Sequence, residues 1–466
     1  MRVLLLCVIF PFFTAGLFAQ AVGERLQKAY QRFEQDSQLK YAVASLYVIE
    51  ARTGKVVFDR NSGLGLPGAS TQKVVTAATA LELLGNDFRY NTLLQTNGQL
   101  RGNSLIGDLV LRGSGDPSLG SWRYGNTKPA SILSHIISLL REKKIRNITG
   151  DLVVDESAFE SNTVSDGWIW EDIGNYYGAG AGGFNWRENQ YDLILKSGPK
   201  EKDPVRIVRL DPAVANLRLV SEVRAGPRGS GDNAYIYVPP FAATGFVRGT
   251  IPAGEDSFKI SGSLPNPAGQ FGAELAAALK NAGIRLQGGV RTRLDQPPLN
   301  RGLRELGSVA SPTLDSLIYF FLRRSINLYG EALVKTFALK EQGLASADTG
   351  LRILRDFWNQ HGISPDELNL YDGSGLSPLN RITTRAQVEV LKFALARPWY
   401  RPFYEGLPEF NGMKMKSGTI SDVKGFCGYH KAADGTEYIF SFLVNNYSGR
   451  ASTLVSKMYR VLDELK

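Results

Sequence analysis

The stretch Gly68-Ala69-Ser70-Thr71-Gln72-Lys73-Val74-Val75-Thr76-Ala77-Ala78-Thr79-Ala80-Leu81 decides how this chain is read. Its Ala and Leu are good helix formers. Val74, Ala78, Leu81 and Leu84 recur at helical spacing, and Gly85 follows as a stop. The pattern predicts a helix with Ser70 at its start and Lys73 three residues on. Residues at that spacing share a helix face, so a hydroxyl and an amine meet through local geometry alone. The Ser70 N–H is one of the unpaired donors of a helix start and is free to bind an oxyanion. A nucleophile, a base and half an oxyanion hole thus fit in four residues. The same four letters also occur as a capping serine and a solvated lysine on an ordinary helix. The partners elsewhere in the chain therefore decide.

Bulk properties bound those partners. A length of 466 residues predicts two or three domains, and 43% hydrophobic with 21% charged residues fits a globular protein. Arg2, the apolar run Val3–Phe18 and Ala19-Gln20-Ala21 read as a secretory signal peptide over residues 1–21, with an N-terminal membrane anchor as the other reading. No second long apolar segment follows, so the expectation is a protein without a membrane span, exported to the periplasm or cell-wall space. Cys427 is then the one cysteine left, which excludes an intrachain disulfide and reads as a buried structural thiol. The net charge of +9 is dispersed, without the dense Lys/Arg blocks of a nucleic-acid partner, and suits anionic cell-envelope polymers better. The three His are scattered, which argues against a Ser-His-Asp triad or a His-based zinc site; no metal or cofactor is expected.

Along the chain, residues 41–60 read as a hairpin. Strands are predicted near 104–111 and 147–155 around a helix near 130–143, and Gly107-Asp108-Leu109-Val110 nearly repeats as Gly150-Asp151-Leu152-Val153. Gly178-Ala179-Gly180-Ala181-Gly182-Gly183 matches Gly-x-Gly-x-x-Gly, but neither a preceding strand nor a following helix supports a dinucleotide site, and it reads as a flexible loop. Residues 193–262 alternate in short Val- and Ile-rich runs and read as a small all-β module. Helices are then expected near 273–282, 312–324, 328–341, 346–360, 384–396 and 451–465, and strands near 413–420, 424–431 and 436–445.

Two further motifs complete the pair. Ser325-Ile326-Asn327 lies between two predicted helices, and Lys416-Ser417-Gly418-Thr419 lies on a predicted strand. Ser-x-x-Lys, Ser-x-Asn and Lys-[Thr/Ser]-Gly in this order form a penicillin-recognising signature. The residue types suit acyl transfer through a seryl ester. Lys73 serves as base when neutral, and Lys416 supplies a second positive charge that favours this. Ser325 relays a proton to the leaving amine, and Asn327 holds the substrate amide and Lys73. The N–H groups of Ser70 and Thr419 form the oxyanion hole, where one donor is worth about 3 kcal/mol. The hydroxyls of Ser417 and Thr419, with Lys416, suit a terminal carboxylate, and Gly418 completes the motif.

These residues, with Pro67-Gly68-Ala69, Gly113-Ser114-Gly115-Asp116-Pro117, Gly150-Asp151-Leu152-Val153-Val154-Asp155 and Asp372-Gly373-Ser374-Gly375-Leu376-Ser377, resemble the class C, type-4 penicillin-binding proteins. That family comprises D-alanyl-D-alanine carboxypeptidases and DD-endopeptidases. The resemblance covers nearly all of the chain after residue 21. It implies a mixed α/β fold: a penicillin-recognising serine transpeptidase-like domain, an antiparallel sheet flanked by helices, with two nested inserted domains. The implied division is 22–86 and 263–466 for that domain, 87–192 for the α/β insert and 193–262 for the nested β module. It also implies peptidoglycan stem peptides as substrate and covalent inhibition by β-lactams. In relatives an Arg following the Ser377 motif, with an acid matching Asp155, reads the diaminopimelate side chain. Here Pro378-Leu379-Asn380-Arg381 follows instead, leaving Arg381 as the substitute.

Two other readings compete. A β-lactamase would carry Glu-x-Glu-Leu-Asn, whereas Pro365-Asp366-Glu367-Leu368-Asn369 has Pro at the first position. A non-catalytic wall-binding scaffold would show degraded motifs, and all three are intact.

Overall fold

The computed structural model describes residues 12–293, 302–342 and 345–466. The chain forms two compact units. One takes the described residues up to Val75 with Ile363–Asn369 and Asn380–Lys466; the other takes Thr76–Gly362 and Leu370–Leu379.

The first unit is built on a six-stranded antiparallel sheet. Its order is Val56–Arg60, Val43–Glu50, Glu437–Asn445, Val423–Lys431, Met413–Ile420 and Glu409–Phe410. Strand side chains alternate between faces. Leu46, Val48, Phe440, Phe442 and Val444 turn to one face and bury against Leu26, Tyr30 and Phe33 of the helix Phe12–Glu34 and Leu454 and Met458 of the helix Ala451–Leu462. Each such side chain contributes about 1.5–3 kcal/mol on burial. Ser45 and Ser441 turn to the other face, where Ser45 Oγ lies 2.7 Å from Thr384 Oγ1 and Ser441 Oγ donates to Gln387 Oε1 at 2.6 Å. The helix Thr384–Leu395 thereby covers the face that carries the candidate site. The expected leader falls partly outside the described residues, since 1–11 are among those not described. Its expected cleavage point after Ala21 lies within the continuous helix Phe12–Glu34.

The second unit holds the inserted α/β region. Its five-stranded sheet runs Val290–Arg293, Leu152–Asp155, Leu109–Arg112, Asn91–Thr96 and Arg304–Ala310. A second sheet runs Arg285–Leu286, Asn147–Ile148, Ser104–Ile106 and Gln99–Arg101. The helices Pro129–Glu142 and Pro267–Asn281 bury Ile132, Ile136, Leu140, Phe271, Leu275 and Leu279 in the same core. Each long strand expected from the sequence is broken in two at Gly107-Asp108 or Gly150-Asp151, and the halves enter different sheets. The near-repeat is exact in register, with Leu109 opposite Leu152 and Val110 opposite Val153 in parallel. A third copy follows, with Val290 opposite Leu152 and Leu286 opposite Ile148. Asp108 Oδ1 accepts the Asp151 N–H at 2.8 Å, and Asp151 Oδ1 accepts the Gly289 N–H at 2.8 Å.

This pairing corrects one expected boundary. The insert does not end at residue 262: Pro267–Asn281, Val290–Arg293 and Arg304–Ala310 belong to its sheet and helix layer. The nested β module has a core of its own, with Leu193, Leu195, Ile236, Val247, Ile251 and Ile260 inside two small sheets between Gln190 and Ser263. A second correction concerns residues 178–183. They are mostly buried, because a Cβ on Gly178, Gly180 or Gly183 would stand 2.0–2.4 Å from the carbonyl oxygens of Asp172, Thr163 or Glu156. The glycines there serve close backbone packing. Helices Leu314–Arg323, Asn327–Gln342 and Ala347–Gln360 complete this unit.

Candidate active site

Ser70 lies in a 3-10 turn, Ala69–Gln72, that runs directly into the helix Lys73–Leu84. Lys73 Nζ donates to Ser70 Oγ at 2.9 Å. Lys73 is fully buried and Ser70 half-buried, so the hydroxyl is reachable while the amine behind it is shielded. Ala69 has φ 46°, in the left-handed region that strains a non-glycine residue. Such strain persists only where the surroundings hold it. Here Thr71 Oγ1 donates to Gly68 O at 2.6 Å, Gln387 Nε2 donates to Thr71 Oγ1 at 2.7 Å, and Gln387 in turn accepts from Ser441. This buried chain of bonds ties the Ser70 turn to the covering helix and the middle of the sheet. The Cys427 thiol points to Thr71 O at 3.7 Å, and burial pushes its pKa up to about 12, which makes it an inert structural thiol.

The strand Met413–Ile420 lies against that turn. Lys416 and Gly418 share one side of it, facing the turn, while Ser417 and Thr419 alternate to the other. A Cβ on Gly418 would come within 2.5 Å of Gly68 O and 3.1 Å of Ser70 N. Glycine at 418 therefore sets how close the strand stands to the Ser70 N–H. Gly418→Ala is expected to leave the protein folded and slow acylation about tenfold to a hundredfold by displacing the two. Rapid-mixing acylation kinetics measure this, and an unchanged rate would show that the close approach does not matter.

Lys416 is 1% exposed, and its Nζ donates to Ser417 O at 2.9 Å. Burial pushes its pKa down to about 8, with Cys427 opposing and the Lys424 charge adding. Lys424 is absent from the sequence expectation. It stands opposite Thr419 across the hairpin, and its Nζ donates to Thr419 Oγ1 at 2.7 Å. Its place across the tight turn from Thr419 is the signal that points to it. Glu367, in the stretch compared with the lactamase pattern, accepts from Thr383 Oγ1 at 2.8 Å and Arg385 Nε at 2.9 Å. Arg381 Nη1 donates to Asn380 O at 2.8 Å.

The first unit thus brings Ser70, Lys73, Lys416 and Gly418 together, with Ser417 and Thr419 on the same strand. The second unit carries Ser325, Asn327 and Asp155. Ser325, with φ 57°, forms the turn before Asn327 opens its helix, and Asn327 Nδ2 donates to Tyr177 O at 2.7 Å. Asp155 is fully buried. Its Oδ1 accepts from Ser157 Oγ at 2.6 Å and Ser157 N at 3.2 Å, with Arg293 Nε at 4.0 Å. Asp155 Oδ1 is thus engaged inside the insert, while the buried Oδ2 accepts no hydrogen bond from the described residues. The neighbouring Glu156 is pushed up to about 7 by burial and by the Asp155 charge. Asp372 is a buried hub: its oxygens accept from Trp168 Nε1 at 2.9 Å, Gly375 N at 2.7 Å and Ser377 N at 2.6 Å. Among the described residues no group of three or more His, Cys, Asp or Glu is placed to hold a metal ion. Nor is any helix among them long and apolar enough to cross a membrane.

The profile of a family described as "D-Ala-D-Ala carboxypeptidase 3 (S13) family" matches residues 26–409. A D-alanyl-D-alanine carboxypeptidase of Actinomadura sp. strain R39 is 27% identical over 467 residues, covering 94% of this chain and 84% of that protein. The crystal structure of penicillin-binding protein 4 from Haemophilus influenzae superposes with a TM-score of 0.80 at 22% identity, over 94% of this chain and 99% of the other. The same relative complexed with a β-lactam matches with a TM-score of 0.74 at 20% identity, over 95% and 99%.

Proposed function

The chain belongs to the D-Ala-D-Ala carboxypeptidase 3 (S13) family, and on that premise we propose that Ser70 is the nucleophile of a serine DD-peptidase that passes through a seryl ester. The protein is a serine-type hydrolase of peptidoglycan peptides. The observation that carries the proposal is the 2.9 Å contact of Lys73 Nζ with Ser70 Oγ, at a turn packed against Gly418. Ser70 Oγ attacks the carbonyl carbon of the penultimate D-alanine while Lys73 accepts its proton. The developing oxyanion is met by the N–H groups of Ser70 and Thr419. Ser325 passes the proton to the amine of the departing D-alanine, and Asn327 holds the substrate amide. Lys416, on the side of the strand that faces the Ser70 turn, receives the terminal carboxylate. Water then hydrolyses the ester. Arg381 and Lys424 stand as further contacts for the peptide, with Asp155 as the acid that reads its side chain.

The β-lactam complex of the relative supports β-lactam binding here, and a β-lactam would offer Ser70 an acyl carbon that opens onto the enzyme. Cross-linked stem peptides present the same D-alanyl carbonyl, so DD-endopeptidase activity belongs to the proposal. The place of action is the periplasm or cell-wall space, where that substrate lies. Release of D-alanine from a pentapeptide by the purified chain, with a penicillin adduct mapped by mass spectrometry, tests the whole. The adduct is expected on the peptide holding Ser70, and an adduct elsewhere overturns the assignment.

The depressed Lys416 pKa sets a pH dependence. The side chain is charged below about 8 and neutral above it. KM for the peptide is expected to rise as pH climbs through that value, because the carboxylate loses its cationic partner. Lys416→Arg should move the rise to higher pH, since a guanidinium keeps its charge. A KM that stays flat across the range removes Lys416 from carboxylate binding.

A further inference from the structure

Asn327, Glu331 and Lys335 stand four residues apart on one helix and form a single polar stripe. Their exposures are 9%, 3% and 2%, so the stripe faces the interior. All three reach the same stretch of the insert, residues 160–181. Asn327 Nδ2 donates to Tyr177 O at 2.7 Å. Glu331 Oε2 accepts from Ser165 Oγ at 3.0 Å. Lys335 Nζ donates to Ala181 O at 3.2 Å and to Asn162 O, with Glu160 Oε1 at 3.6 Å. Glu331 Oε2 also accepts the Gly373 N–H at 3.2 Å, in the turn whose Asp372 is held by Trp168 of the same stretch.

Buried polar groups on a helix cost free energy unless each is paired, and an apolar stripe would pack the helix with less at stake. What the polar stripe adds is fixed geometry: bonds of defined length and direction to the carbonyls of Tyr177, Asn162 and Ala181 and to the Ser165 hydroxyl. The helix so held begins at Asn327, immediately after the left-handed turn at Ser325. A shift of the helix along or about its axis would carry both motif residues with it.

We propose that segment 160–181 of the insert sets the position of Ser325 and Asn327 for the reaction, with Glu331 and Lys335 as its positioning residues. This rests on the reading of Ser325 and Asn327 as catalytic. It gives the insert a part in catalysis beyond any substrate contact. Misplacing Asn327 weakens an interaction needed in the transition state, so the loss falls on kcat more than on KM.

The test compares kcat and KM for D-alanine release in Lys335→Met, Ser165→Ala and Asn327→Ala. Circular dichroism and the thermal midpoint report the fold. Lys335→Met keeps the stem of the side chain and removes its bonds; kcat is expected to fall roughly tenfold to a hundredfold with KM nearly constant. Ser165→Ala cuts the stripe from the insert side without touching the helix and is expected to lower kcat severalfold. Wild-type kcat in both, beside an inactive Asn327→Ala, overturns the proposal while leaving the catalytic reading in place. Full activity in Asn327→Ala overturns that reading, and the proposal falls with it. Should Lys335→Met fail to fold, Ser165→Ala decides alone, and wild-type kcat in it overturns the proposal.

Discussion

Ser70→Ala is expected to abolish covalent penicillin labelling and to cut D-alanine release by on the order of 10⁴-fold or more, since no seryl ester can form. The substitution removes one oxygen from a half-buried position, and the turn around it is held by Thr71, Gln387 and Ser441 rather than by the hydroxyl. The fold should therefore survive, and the loss can be read as chemistry. A fluorescent-penicillin time course on the wild type is the companion measurement. A stable, Ser70-dependent band is the expected result. A band that vanishes within moments would favour a β-lactamase. Absence of any band from folded protein would favour a wall-binding scaffold.

Lys73→Met should slow acylation by roughly 10²–10⁴-fold, the range that removal of a positioned base produces. Methionine is close to lysine in length and apolar, so it suits a fully buried position without leaving a charge to pair. The measurement is the acylation rate constant with a chromogenic β-lactam, together with its pH profile. A rate near that of the wild type would take the role of base away from Lys73 and give it to another group. A slow rate with an unaltered pH profile would likewise separate the lysine's charge from proton transfer.

Local chemistry in the sequence points directly to the Ser70 turn. Ser-x-x-Lys spacing acts through one turn of helix, and the structure places the two groups within hydrogen-bond distance. The central sheet is equally legible, because Glu437–Asn445 carries an apolar run and short turns divide it from Val423–Lys431 and from the alternating Met413–Ile420. The third copy of the Gly-Asp repeat was not legible, because Gly288-Gly289 replaces the aspartate that marks the other two. Without it the insert ends too early on paper. The glycines at 178–183 suggest a flexible loop for a related reason. Composition cannot distinguish a loop that needs freedom from one that needs backbone contact, and only the neighbouring carbonyls settle the matter. The strain at Ala69 is held through Gln387 and Ser441, partners far along the chain, which no local pattern carries.

The central sheet pairs Val43–Glu50 with Glu437–Asn445, strands from opposite ends of the chain. This pairing cannot form until the chain has been made through residue 445. While the chain is still being synthesised, the Ser70 turn exists without Gln387 to clamp it and without the Lys416 strand to complete it. A partly made chain is thus chemically silent, with its nucleophile present and its surroundings missing. The same order of events leaves one edge of Val43–Glu50 open until the last strands arrive, an unpaired template for other chains while it lasts.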